Sequence, residues 1–115
     1  MRMWMVHPET MCRKHLLGEH VELHMFVGAI NKGTSMEGFL ANNLLEVSSL
    51  HRRHSALVDE MNCRGYIHKS PLAATARTLP YDSYKVEIDQ RAALAELHRR
   101  CPECLASFRA KISSK

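Results

Sequence analysis

Apolar residues at helical spacing constrain this chain most. Between residues 11 and 32, Leu16, Leu23, Val27 and Ile30, joined by Leu17, Val21 and Met25, recur every three to four positions. That period belongs to a helix buried along one side, and no other stretch alternates as a half-buried strand would. Thr10 is the candidate N-cap and Gly33 the candidate stop, giving a first helix over about 11–32. A second stripe, Leu50, Leu57, Val58 and Met61, follows Ser48 or Ser49 as cap and ends at Gly65. A third helix is expected over roughly 85–100, carrying Val86, Ala93, Leu94 and Leu97, with "CPEC" breaking it before a last short helix, "LASFRAKI". "SMEGFLANN" has room for one or two helical turns. Residues 66–84 contain Pro71 and Pro80 and hold no period, which predicts a long ordered loop of the kind that usually carries function. The expected fold is all-α, one domain over 1–115 with three main helices and long connecting loops.

The 115 residues suit a single core. A formal charge of +4, with eight histidines that add charge as pH falls, leans mildly towards polyanionic partners. No apolar run approaches the ~18–20 residues of a membrane span, and the N-terminus lacks the apolar centre of a signal peptide. No membrane association and a cytoplasmic location are expected. Cys12, Cys63, Cys101 and Cys104 do not have the spacing of a secreted disulfide framework, so thiols or metal ligands are expected.

The first helix is unusually rich in ionisable groups. His15, Glu19 and Glu22 share a face, with Phe26 one turn further on, and this strip borders the apolar stripe. Carboxylates and an imidazole at the edge of a core are partly desolvated and coupled, which moves pKa values towards those useful in catalysis. The alternative is a solvated face of helical ion pairs. His20 and His24, four residues apart, can reach one metal. Together with Cys101 and Cys104 they allow a two-His, two-Cys zinc site to be drawn. "CPEC" also reads as an ordinary helix start, with Pro first and Glu in the first turn. No metal and no organic cofactor is assigned.

The string "KHLLGEHVELHMFVGAINK" resembles the first helix of the phage pyrimidine-dimer DNA glycosylases, the phage endonuclease V family. It shares with them a His, two apolar residues, a Glu, then "EL" and an apolar stretch ending in Gly-Ala. The likeness continues into "LHRRHSALVDEMNCRGY", a basic helix ending in an Arg-Gly-aromatic turn. "MRMWMVHP" and "GYIHKSPL" are similar to bacterial members of that family. The resemblance covers about residues 1–72, and its most specific element is the joint spacing of chain start, Arg2, His15 and Glu22.

An α-amine titrates near about 7.7–8.0, so at neutral pH roughly a tenth is free base. Such an amine beside a sugar C1′ can displace the base, form an imine and permit strand cleavage by β-elimination. The resemblance implies that Met1 supplies the amine and Glu22 stabilises the cationic sugar and handles protons. Removal of Met1 ahead of the bulky Arg2 is not expected, and the separation from Met1 to His15 equals that from nucleophile to His in the family. The same likeness places Arg2 at the phosphate beside the lesion and His15 close by, with Glu19 as support.

Two departures matter. The arginines with which the family's first helix grips DNA fall at Val21 and Met25, and the family's aromatic, Lys-containing tail is replaced by "CPECLASFRAKISSK". Compensating cations are expected from Arg13, Lys14, Arg52 and Arg53, with Arg64, Lys69, Arg99 and Arg100 also available. The implied function is a DNA repair glycosylase with abasic-site lyase activity on pyrimidine dimers or related damage. Its partner is double-stranded DNA, and it is expected to act as a monomer. The alternatives are a non-catalytic DNA-binding module on the same scaffold and a zinc-stabilised helical interaction module.

Overall fold

Helix α1 spans Arg13–Lys32 in the computed structural model, which describes residues 1–68 and 70–113. Its N-cap residue is Cys12 rather than Thr10. Thr10 closes a 3-10 turn, Pro8–Thr10, and its hydroxyl donates to the His7 carbonyl at 2.8 Å. At the other end Gly33 adopts φ 81°, and its N–H reaches the carbonyls of Ala29 and Ile30. A Cβ there would lie 2.7 Å from Nη1 of Arg77, whose Nε donates to the Asn31 carbonyl at 3.0 Å. Gly33→Ala is therefore expected to cost about 1–2 kcal/mol from the left-handed backbone alone. A thermal melt showing no loss would contradict this.

Leu16, Leu23, Phe26, Val27 and Ile30 are buried as the stripe requires. Val21 and Met25 do not join it, and each is 54% exposed. Each stands two residues from Leu23, about 200° round a helix of 3.6 residues per turn, so it faces away from the core.

Helix α2 is a short segment, Glu37–Ala41. Helix α3, Leu50–Cys63, follows a 3-10 turn at Val47–Ser49 and packs along α1. It buries Leu50, Leu57 and Met61, while Val58 is half-buried. Ser49 precedes it without capping it, because its hydroxyl donates to the buried Glu46 carboxylate. Gly65 ends this helix at φ 81°.

The C-terminal part departs from expectation. Tyr81–Lys85 form a separate 3-10 turn, and α4 begins only at Gln90, where the Asp89 carboxylate accepts from the N–H of Ala92 at 3.0 Å. Val86 thus lies outside the helix. Helix α4 ends at Arg100, and Pro102 starts α5, Pro102–Ser113, a full helix of 12 residues. Pro is at home in the first turn because its missing N–H has no partner there in any case. The fold is all-α as expected, and among the described residues four helices are long where three were expected.

Met3, Trp4 and Val6 from the chain start enter the same core as Leu16, Leu23, Leu57, Leu97 and Cys104. The loop after α3 is tied down through Asn31, which donates to the Ala74 carbonyl at 3.1 Å and accepts from the Ala76 N–H at 2.6 Å. His51 also meets the Ala73 carbonyl, at 2.9 Å. Among the described residues, no helix is long and apolar enough to cross a membrane.

Candidate active site

The chain start is pinned on both sides. The Met3 N–H donates to the Leu44 carbonyl at 2.8 Å, and Nη1 of Arg53 donates to the Val6 carbonyl at 2.6 Å. Between them Met5 takes φ 56°, a left-handed conformation that is strained for a side chain of its size. This kink accompanies burial of Met3 and Trp4 on one side and of Val6 on the other.

The pinned segment lies against α1, where the N–H of Arg2 donates to Oε2 of Glu22 at 3.3 Å. Three covalent bonds separate the Met1 amine from that nitrogen, so the amine lies within about 4 Å of it. Met1 is 39% exposed and Glu22 half-buried, so both are open to a ligand from solvent. The Arg2 guanidinium sits 4.0 Å above the buried Trp4 ring, and Arg100 approaches the same ring at 5.9 Å. A flat, desolvated aromatic face holds a cation well. Burial, then the charge of Arg100, lowers the Arg2 pKa.

His15 meets the edge of Trp4 with centroids 6.1 Å apart, and its Nδ1 lies 3.3 Å from Sγ of Cys12. Burial, then Lys14, lowers its pKa, so at neutral pH the ring is an uncharged imidazole. The structure therefore brings Met1, Arg2, His15 and Glu22 to one face.

Glu19 and Arg53 do not reach that face. Nε of Arg53 donates to Oε2 of Glu19 at 2.7 Å and Nη2 to Oε1 at 2.9 Å, with Arg53 at 6% and Glu19 at 1% exposure. Glu19, expected as support for the active face, and Arg53, expected as a compensating cation, are instead buried against each other. A planar guanidinium and a carboxylate left on facing helices inside the core satisfy each other, and the guanidinium has no free charge to offer a phosphate.

The remaining cations divide similarly. Arg13 and Lys14 are exposed on the first turn of α1, Arg13 with its guanidinium 5.2 Å from the Tyr66 ring. Arg52 is exposed and donates to Oγ of Ser49 at 2.6 Å. Arg64 is structural, binding Glu60 at 2.6 Å and the carbonyls of Pro8 and Met11 at 3.2 and 2.8 Å. Arg99 and Arg100 share Glu96, and their hydrogen bonds hold its carboxyl down at about 2. Lys69 lies outside the described residues.

His20 and His24 do not meet Cys101 and Cys104, so the zinc site drawn from those four is not formed. Instead the cysteines join Cys12 and His15, while the histidines join His54 and His68. Cys12, His54 and His68 were missed as potential ligands. The sequence carried a signal for the first, since "CRKH" and "CPEC" both have the two-residue spacing of metal ligands.

The site joins a carboxylate, the chain start and the Arg2 guanidinium at one solvent-open face of a small helical domain. A family model described as pyrimidine dimer DNA glycosylase matches residues 1–74, and the chain belongs to this family of DNA repair glycosylases. The match takes in the chain start, α1 and α3 and stops short of α4 and α5. No curated protein and no solved structure matches the chain.

Proposed function

We propose that the protein is a DNA glycosylase with abasic-site lyase activity, acting on pyrimidine dimers or related lesions through an imine on the Met1 amine. The observation that carries this reading is the hydrogen bond from Arg2 N–H to Oε2 of Glu22, which sets carboxylate and amine beside each other at a solvent-open face. The nitrogen lone pair attacks C1′, the glycosidic bond breaks and the base leaves with its electron pair. Loss of a proton from nitrogen and opening of the sugar ring give the protonated imine. A base then takes a C2′ proton and the C3′–O bond breaks, releasing the 3′ phosphate. Water finally hydrolyses the imine and returns the amine.

Glu22 has two tasks in this sequence. Its negative charge opposes the cation that develops on the sugar, and its free lone pairs accept a proton in the elimination. Arg2 is placed for the phosphate beside the lesion, with its stacking on Trp4 limiting the freedom it loses on binding. Arg13, Lys14 and Arg52 supply further phosphate contacts. The target nucleotide or its partner must leave the stack for the amine to reach C1′. His15 packs against the Trp4 ring that carries Arg2 and so helps to shape this face.

Reduction with borohydride tests the mechanism on duplexes containing a thymine dimer, an abasic site or no damage. A covalent protein–DNA complex is expected with the first two and not with the third. It should vanish after acetylation of the N-terminus. No complex at all, or equal trapping after acetylation, overturns the amine as nucleophile. Salt-dependent binding without trapping would identify a non-catalytic DNA-binding module.

A further inference from the structure

We propose that the chain holds two structural zinc ions, one bound by Cys12, His15, Cys101 and Cys104 and the other by His20, His54 and His68, with His24 beside them. Neither site depends on the glycosylase reading, and a separate observation carries each.

The first rests on spacing and distance. Cys12 and His15 are three residues apart at the start of α1, and Cys101 and Cys104 are three apart where α4 gives way to α5. One ligand atom from each of the four lies within 4.8 Å of those of the others. A tetrahedral zinc with Zn–S near 2.3 Å and Zn–N near 2.0–2.1 Å places its sulfurs about 3.8 Å apart and sulfur about 3.5 Å from nitrogen. Here Sγ of Cys12 stands 3.8 Å from Sγ of Cys101 and 3.3 Å from Nδ1 of His15. The three cysteines are buried, and all are free thiols. Backbone N–H groups of Cys12 and Cys104 donate to Sγ of Cys104 and Cys101, each at 3.3 Å. Such donors stabilise a thiolate that carries charge for a metal. Soft thiolates with one imidazole in tetrahedral array select zinc over the harder divalent ions.

The second rests on polar atoms left without partners. Nε2 of His20, His24, His54 and His68 is buried in every case and makes no hydrogen bond among the described residues. Four desolvated imidazole nitrogens do not gather in one place without compensation, because each carries a donor or a lone pair that water would otherwise satisfy. Ring centroids of His20, His54 and His68 stand 4.8–5.2 Å apart, one ring nitrogen of each lies within 4.8 Å of the others, and His24 flanks His20 and His54 with centroids at 4.9 and 5.1 Å. A tetrahedral zinc bound through ring nitrogens sets centroids about 5 Å apart. The ligands come from α1, α3 and the loop after it, so a single ion fastens that loop to both helices.

The cysteine site attaches α4 and α5, which lie beyond the family match, to the start of α1. His15, bound through Nδ1, packs against Trp4, the ring that carries Arg2. The ion thereby braces the face on which Met1 and Glu22 meet, without touching either.

Untagged full-length protein, purified without chelator, decides the matter by metal analysis. Two zinc ions per chain are expected. Exchange with cobalt alone should give tetrahedral visible absorption from both sites and a near-ultraviolet thiolate-to-cobalt band from the cysteine site only. Cys104→Ser should remove one ion and that band, whereas His54→Gln should remove the other ion and keep the band. Should a variant fail to fold, the cobalt spectrum of the unaltered chain still separates the sites. One ion with the thiolate band overturns the histidine site, one without it overturns the cysteine site, and none overturns both. A Cys12–Cys101 disulfide in fresh protein would also overturn the first.

Discussion

Glu22→Gln is expected to reduce cleavage at an abasic site by about 10²–10⁴-fold, the range in which positioned acid–base groups contribute. Gln keeps the length of Glu and retains an oxygen for the Arg2 N–H, now 3.3 Å from the carboxylate, so the chain start should stay where it is. What disappears is the negative charge and the proton-accepting capacity. The substitution therefore separates chemistry from positioning more cleanly than Glu22→Ala, which would also release the segment. Single-turnover cleavage measures the loss, and circular dichroism with a thermal melt checks the fold. Cleavage at the rate of the unaltered protein would sink the role given to Glu22. Loss of trapping together with an unchanged melt would sustain it.

Arg53→Met is expected to have the largest effect on stability. The Glu19–Arg53 pair is bidentate and nearly free of solvent, so removing the cation leaves an uncompensated carboxylate in the core. Such breaks typically cost about 3–5 kcal/mol. For a domain of this size the melting temperature should fall by more than about 10 °C. The Val6 carbonyl also loses its donor, which loosens the segment that positions Met1 and Arg2. The double substitution Glu19→Leu with Arg53→Met should recover much of the stability, because the buried carboxylate goes with its partner. Recovery of the melt without full recovery of cleavage would show that the pair also serves to aim the chain start. A single variant as stable as the parent would contradict the buried pair.

The helices of the N-terminal two-thirds were legible because their signals are local. Leu16, Leu23, Val27 and Ile30 repeat at the period of one turn, and Gly33 and Gly65 adopt the left-handed conformation that ends a helix. The start of α4 was misjudged because Tyr81–Lys85 satisfy their own 3-10 turn and leave Asp89 to cap the helix four residues later. Val21 and Met25 looked like members of the apolar stripe, yet only one side of α1 is covered. The joint placement of chain start, Arg2, His15 and Glu22 came from a resemblance over residues 1–72, and the structure sets these four on one face.

Glu19 and Glu22 show where sequence reasoning stops. They are three residues apart on one helix, and nothing local distinguishes a carboxylate that will face solvent from one that will be sealed by an arginine 34 residues away. The same holds for Cys12, whose neighbours Cys101 and Cys104 are about ninety residues distant along the chain. The sequence by itself determined the all-helical class, the main helical stripes and the family. Only the tertiary structure decided which charges are neutralised in the core, which thiols and imidazoles gather, and that Glu22 lies beside the chain start. Periodicity and caps act between residues within one or two turns of each other, whereas burial and convergence depend on which helix faces cover one another.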